Sequence, residues 1–122
     1  MRFTLCNHFI SEFNTAYKLK KQSFIVEQSP LNFRFIEIML KKGYLRSYRF
    51  LKTKFLVSIK YHKKRYLMVT LLRKSKKSHA IYHRAENVVP NAIYYTRHGL
   101  VYSSFMYKYK IGGLYVCKIS FL

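Results

Sequence analysis

Three glycines near the end of the chain restrict what its last third can form. Gly99 follows Thr96-Arg97-His98, and Gly112-Gly113 come directly before an apolar run. Glycine favours tight turns, and short apolar runs bounded by turn residues are typical of strands. The pattern therefore predicts four elements around these turns. They are a strand at Ala92–Thr96, a strand at Leu100–Tyr102, a helix at about Ser103–Tyr109 and a last strand at Leu114–Ser120.

The first part of the chain contains two predicted helices. Apolar side chains at helical spacing indicate one face of a helix from about Thr4 to Leu19. A second helix begins at Ser29-Pro30, because serine is a good N-cap and proline suits the first helical position. Gly43 follows its last predicted turn and ends it. The face of the first helix consists of Phe9, Phe13, Ala16 and Tyr17.

Short strands are predicted around these helices. They lie at Ser23–Glu27, Tyr44–Leu51, Phe55–Tyr61, Tyr66–Leu72 and Ala80–Arg84. The basic segment from residue 73 to residue 79 separates the last two and marks the predicted domain boundary. The sequence thus predicts an α+β protein with mixed or antiparallel sheets and short helices. Its two small domains are residues 1–72, of helix-strand-helix-strand order, and residues 73–122, which are mostly β.

The charge of the chain is strongly unbalanced. It carries 24 Lys and Arg against 4 acidic residues, all Glu, for a formal net charge of +20. Self-repulsion of this size destabilises a free compact state, and a polyanion would neutralise it. RNA is the commonest such partner of a small basic domain, whereas a merely solvated surface usually interleaves both signs. The composition favours a nucleic-acid partner.

Few other chemistries fit the residues. Four scattered glutamates give no paired carboxylates for acid–base catalysis, and the histidines and two cysteines form no metal or triad pattern. We therefore expect no enzyme, cofactor, metal or small-molecule substrate. No apolar run reaches the roughly 18 residues that span a bilayer, and the first residues lack a signal-peptide core. Cys6 and Cys117 are expected to be unpaired thiols, although a disulfide is formally possible.

Several motifs occur together in an order that matches one family. Residues 37–45, Glu-Ile-Met-Leu-Lys-Lys-Gly-Tyr-Leu, fit the family pattern Asn-Val-Leu-Lys-Glu-Glu-Gly-Phe-Ile without a gap, and Ile59-Lys60-Tyr61 stands for Leu-Lys-Tyr. The residues from Ala92 to Ile119 keep the spacing of the family's Ser-Thr-Ser-Lys-Gly and Gly-Gly-Glu patterns. From about Thr4 to Ile119 the chain resembles the eighth protein of the small ribosomal subunit.

The resemblance implies a structural ribosomal protein of two α+β domains. It implies binding to the central domain of small-subunit rRNA and contact with neighbouring small-subunit proteins. In the family, the Ser-Thr-Ser loop contacts rRNA; here Tyr95, Thr96 and Arg97 occupy it, and His98 replaces the lysine before Gly99. Arg97 would exchange a hydroxyl contact for a stronger but less specific phosphate contact. Leu114 replaces the family's Glu.

The residues themselves extend this candidate site. The basic loop at the boundary and the cations beside the third helix suit phosphates, although a solvated loop would also explain them. The glycines would let backbone approach RNA closely, or would simply form turns. Most aromatic residues are expected in the core, and Tyr82 and Tyr95 are the candidates for base contact. The predicted RNA-binding residues are Lys76, Lys77, Ser78, His79, Tyr82, Arg84, Tyr95, Thr96, Arg97, His98, Gly99, Lys108, Lys110, Gly112 and Gly113.

Two rival functions remain open at this point. A basic membrane-surface protein would need an amphipathic helix with an exposed apolar face, and a non-specific RNA chaperone would bind unrelated RNAs equally. The abundance of Lys, Phe, Tyr and Ile is typical of AT-rich organellar coding sequences. We therefore expect a protein of the mitochondrial ribosome in the matrix, without membrane association, and its composition is compatible with an organellar gene.

Overall fold

The structure, a computed structural model, describes residues 3–61, 69–72 and 82–121. The chain divides into two compact units, residues 1–70 with 121–122, and residues 71–120. The predicted boundary at 73–79 lies outside the described residues. Within the described residues, three α-helices and two sheets with antiparallel pairing confirm the predicted α+β class.

The first unit places two helices against a three-stranded antiparallel sheet of order β1-β3-β2. Its elements are α1 (Phe3–Lys18), β1 (Ser23–Glu27), α2 (Pro30–Lys41), β2 (Leu45–Leu51) and β3 (Lys54–Ile59). All five were predicted, with ends that differ by at most two residues. The face of α1 is buried as expected, and the Phe9 ring stacks on Phe35 of α2 at 4.8 Å between centroids.

Local capping explains why α2 begins and ends where it does. The Ser29 hydroxyl accepts a hydrogen bond from the backbone N–H of Asn32 at 3.1 Å, and Pro30 is the first helical residue. At the other end Gly43 has φ +83° and donates to the carbonyl of Leu40, while the next N–H donates to the carbonyl of Met39. These two bonds form a Schellman motif, which satisfies carbonyls that the helix leaves unpaired.

The second unit is built around its longest strand. The elements of its sheet and its helices are β4 (Val69–Leu72), β5 (Tyr82–His83), a 3₁₀ turn (Ala85–Asn87), β6 (Ala92–Thr96), β7 (Gly99–Tyr102), α3 (Ser103–Tyr109) and β8 (Gly113–Phe121). The boundary between the units, at residues 70 and 71, falls within β4, and the last residue of β8 lies just past the end of the second unit. The sheet has the order β4-β8-β6-β7, and β5 also pairs with β8. One core cluster consists of Val88, Ala92, Tyr94, Val101, Met106 and Tyr115.

The predicted ends of two strands are wrong where the structure describes them. Arg84 does not extend β5, because it lies in extended backbone as the N-cap of the 3₁₀ turn. Tyr61 lies beyond β3, which ends at Ile59. Residues 66–68 and 80–81 of the predicted strands lie outside the described residues.

Candidate nucleic-acid interface

The turn between β6 and β7 is held by the hydroxyl of Thr96. This hydroxyl donates to the carbonyl of Gly99 at 3.2 Å and accepts from the backbone N–H of His98 at 3.0 Å. Thr96 is only 6% exposed, whereas Arg97 and His98 are exposed at the tip. The hydroxyl thus fixes the loop. The loop exposes the guanidinium of Arg97 and the imidazole of His98 to solvent.

Gly99 is required by backbone conformation rather than by space. Its φ is +88°, a region that side chains disfavour, and a Cβ there would meet nothing within 4 Å. Gly99 pairs with Thr96 as the first residue of β7, so its positive φ lets the chain leave the two-residue turn and enter the strand.

Gly112 and Gly113 are required for the opposite reason. Neither glycine is one of the residues with a positive φ. A Cβ on Gly112 would lie 2.5 Å from the carbonyl oxygen of His83, and a Cβ on Gly113 would lie 2.8 Å from Cγ2 of Thr96. Protein atoms occupy the space that a side chain would take, so these glycines let β8 pass close to β5 and β6. The predicted approach of RNA to their backbone stays a prediction.

A cleft of about 640 Å³ opens where these segments meet. Its floor is a row across three strands, because Leu114 of β8 pairs with Tyr82 of β5 and with Tyr95 of β6. Tyr82 is 61% exposed, so its ring is available to a ligand. The cleft is lined by Tyr82, Tyr95, Thr96, Arg97, Lys110, Ile111, Gly112, Gly113 and Leu114.

Lys110 brings a second cation to this cleft at a conformational cost. It is the C-cap of α3 with φ +53° and ψ +50°, and its N–H donates to the carbonyl of Met106. Non-glycine residues rarely adopt this left-handed conformation. Together, Arg97 and Lys110 place two exposed positive charges along a cleft whose floor is apolar and aromatic. That combination suits a ligand with negative charge and flat rings.

A hydrogen-bonded aromatic group supports β5 within the same unit. The Tyr94 hydroxyl accepts from the N–H of Val89 at 3.0 Å and lies 2.6 Å from Nδ1 of His83. Burial is the main cause that raises the pKa of Tyr94, and it also raises the pKa of Tyr115 to about 12. Both phenols therefore stay neutral at physiological pH.

The structure brings together seven of the predicted site residues and separates others. Tyr82, Tyr95, Thr96, Arg97, Lys110, Gly112 and Gly113 line the cleft; Gly99 and His98 belong to its adjoining turn. Lys108 and Arg84 are exposed but do not line it. Arg84 and Arg97 do not lie on neighbouring strands, because β8 lies between β5 and β6 and both arginines lie outside the strands. Lys76, Lys77, Ser78 and His79 lie outside the described residues.

Sequence reasoning missed two lining residues, Ile111 and the floor residue Leu114. Leu114 was noted only as a replacement for a carboxylate. Its place could have been found from alternation along β8, had the pairing of β5 with β8 been known.

Other kinds of site do not emerge from the described residues. Within residues 3–61, 69–72 and 82–121, no group of three or more His, Cys, Asp or Glu side chains could hold a metal ion. In the same part of the chain, no helix is both long and apolar enough to cross a bilayer. Cys117 is buried and forms no disulfide within the part of the chain that the structure describes.

Comparison with known proteins identifies one family. The model of the family described as Ribosomal protein S8 matches residues 5–120. No curated protein matches the chain. The family match confirms the resemblance that the sequence motifs indicate, over nearly the same residues.

Proposed function

This chain belongs to the ribosomal protein S8 family, and we propose that it binds the central domain of small-subunit rRNA through the cleft of its second unit. Family membership makes it a small-subunit ribosomal protein that binds rRNA, in a family of structural proteins rather than enzymes. The finer assignment, to the central domain and to this cleft, is the proposal.

One observation carries it: the cleft joins two exposed cations to an exposed tyrosine on an apolar floor. Arg97 and Lys110 would neutralise phosphates, which supply most of the affinity and make it depend on salt. Structured RNA is recognised by its shape, its shallow minor groove and its 2′-hydroxyls, and a cleft beside a rigid turn fits such a surface. The remaining chain would contact neighbouring small-subunit proteins.

The rival functions lack comparable support. A membrane-surface protein needs an exposed apolar helical face, but Phe9, Phe13 and Ala16 of α1 are buried in the first unit. No observation favours a non-specific chaperone over a protein that prefers its own RNA.

We also propose that the ribosome concerned is mitochondrial. The support is compositional: Lys, Phe, Tyr and Ile are abundant, and Asp and Trp are absent from the chain. Fractionation of the source cells tests this. The protein should sediment with small subunits from purified mitochondria; recovery with cytosolic or plastid ribosomes would refute the proposal.

RNA binding should be tested with the full chain and a central-domain fragment of the cognate rRNA, across a salt series, with an unrelated hairpin as control. We expect at least ten-fold preference for the cognate fragment, equal to about 1.4 kcal/mol. The Arg97→Ala variant should bind less tightly and show a salt slope smaller by about 1, as expected for one lost phosphate contact. Lys41→Ala, at the end of α2, is the matched control. Equal binding to both RNAs would refute the proposal.

A further inference from the structure

The β2–β3 hairpin of the first unit carries an aromatic cluster that reaches solvent. Phe55 is buried, Phe33 and Tyr48 are half-buried, and Phe50 is 65% exposed. Among the phenylalanines whose side chains the structure describes, Phe50 alone is exposed. Core packing therefore accounts for the other rings but not for this one.

The exposed ring is held in place from below. The centroid of Phe50 lies 5.3 Å from that of Phe55 and 6.1 Å from that of Tyr48. Phe33 of α2 contacts Tyr48 and Phe55 in turn, at 5.8 Å and 6.0 Å between centroids. A ring fixed by its neighbours loses little freedom when a ligand stacks on its outer face.

The turn of this hairpin is also fixed. The side-chain Nε2 of Gln28 donates to the carbonyls of Lys52 and Lys54 at 2.9 Å and 3.1 Å. The backbone N–H of Gln28 donates to the carbonyl of Thr53 at 3.2 Å. Three hydrogen bonds thus tie the turn to the segment between β1 and α2, although the turn is exposed.

The strand that carries the ring is basic, and alternation along β2 puts Arg49 on the face opposite to Phe50. Residues 45–52, which form β2 and the start of the turn, contain Arg46, Arg49 and Lys52 and no acidic residue. All three cations are exposed. Lys54 offsets the carboxylate of Glu27, at 3.1 Å. An apolar peptide would match the ring and not the cations, and a duplex backbone would match the cations and not the ring.

We propose that this hairpin is a second RNA-binding surface, which takes unpaired nucleotides by stacking a base on Phe50 while the cations of residues 45–52 meet their phosphates. Every base has a flat face, so stacking on an aromatic side chain tolerates any sequence. The surface lies in the first unit and binds a different form of RNA from the cleft. It therefore goes beyond the proposed function.

Fluorescence gives a direct test, because the chain contains no tryptophan. The Phe50→Trp variant of the full chain is titrated with a single-stranded oligoadenylate of about eight nucleotides, within the site sizes typical of single-strand binders. Stacking should quench its emission. Leu19→Trp is the matched control, since Leu19 is 61% exposed and lies beside Lys18 and Lys20. Equal quenching of both variants, or none at Phe50→Trp, would overturn the proposal.

A second measurement distinguishes base stacking on an aromatic ring from contact with any apolar side chain. Phe50→Leu should weaken oligoadenylate binding at least five-fold, about 1 kcal/mol, whereas Phe50→Tyr should restore it. Unchanged affinity of Phe50→Leu would contradict stacking and leave an apolar protein segment as the better occupant.

The two proposals can fail separately. Phe50→Leu should leave binding of the structured rRNA fragment within two-fold, and Arg97→Ala should leave quenching in the Phe50→Trp background intact. Loss of fragment preference with quenching retained would refute the cleft and support the hairpin surface. Loss of quenching with fragment preference retained would refute the hairpin surface and support the cleft.

Discussion

The most deeply buried aromatic rings of the two units differ in chemistry. In the first unit, Phe9, Phe13 and Phe35 interlock as a buried core with no polar atom among their side chains. In the second unit, buried rings carry hydroxyls that are hydrogen-bonded, as at Tyr94, and Tyr82 lies on a cleft floor. The first unit is thus held by packed apolar volume, and the second by close backbone approach and placed polar groups. Stability and binding should therefore respond differently to substitution in the two units.

The largest effect should come from the core of the first unit. Phe9→Ala removes a fully buried ring that contacts Phe24 and Phe35. The free energy of unfolding should fall by about 3–5 kcal/mol. Urea unfolding followed by segment-resolved hydrogen exchange measures this. Phe50→Ala, at an exposed ring, should cost far less, and protection lost equally in both units would show that they unfold as one.

Alkaline pH should weaken the second unit through Tyr115. Burial raises its pKa from 10.0 to about 12. Below pH 10 both states hold the proton; between pH 10 and about 12 the unfolded state loses it while the folded state keeps it. The free energy of unfolding should fall across that window, by up to roughly 2–3 kcal/mol. A difference titration against Tyr115→Phe isolates this contribution, and parallel curves for the two proteins would contradict it.

Two glycine substitutions should show whether steric contact or backbone conformation matters more to the stability of the second unit. Gly112→Ala drives a Cβ against the backbone carbonyl of His83 and should cost about 1–3 kcal/mol. Gly99→Ala meets no atom and should cost only about 1 kcal/mol, from its positive φ. Thermal unfolding of both variants checks the order. A larger loss of stability in Gly99→Ala than in Gly112→Ala would show that the close approach of β8 to β5 does not limit the stability of this unit.

The smallest effect concerns two of the three described lysines in the left-handed conformation, one chosen from each unit. Lys20 and Lys110 have φ +56° and +53°. Replacing either with glycine should raise the free energy of unfolding by about 0.5 kcal/mol, because relief of the backbone exceeds the extra freedom of the unfolded chain.

Only Lys110→Gly should also weaken binding of the rRNA fragment, since Lys110 lines the cleft. Differential scanning calorimetry and a salt series measure the two properties. Equal RNA affinity for both variants would exclude Lys110 from the interface.

Local signals made much of the fold predictable. Ser29, Pro30 and Gly43 mark the ends of α2 by interactions within a few residues, and the strand predicted at Ala92–Thr96 from the turns around it matches β6 at both ends. The cleft depends on pairings between distant segments. Nothing near Tyr82 in the sequence indicates that it pairs with Leu114 rather than with β6. For the same reason, the collision partner of Gly112 could not be foreseen.

Because of the order of its strands along the chain, the sheet of the second unit forms late in synthesis. β8 follows every strand that it pairs with, namely β4, β5 and β6. The first unit's β2 and β3 close as a hairpin as soon as both have been synthesised, and β1 precedes them. During translation, which adds about 5–20 residues per second, β4 and β5 therefore wait without their partner until the last strand emerges. For those seconds their open edges invite mispairing, so a nascent chain is most vulnerable just before its cleft exists.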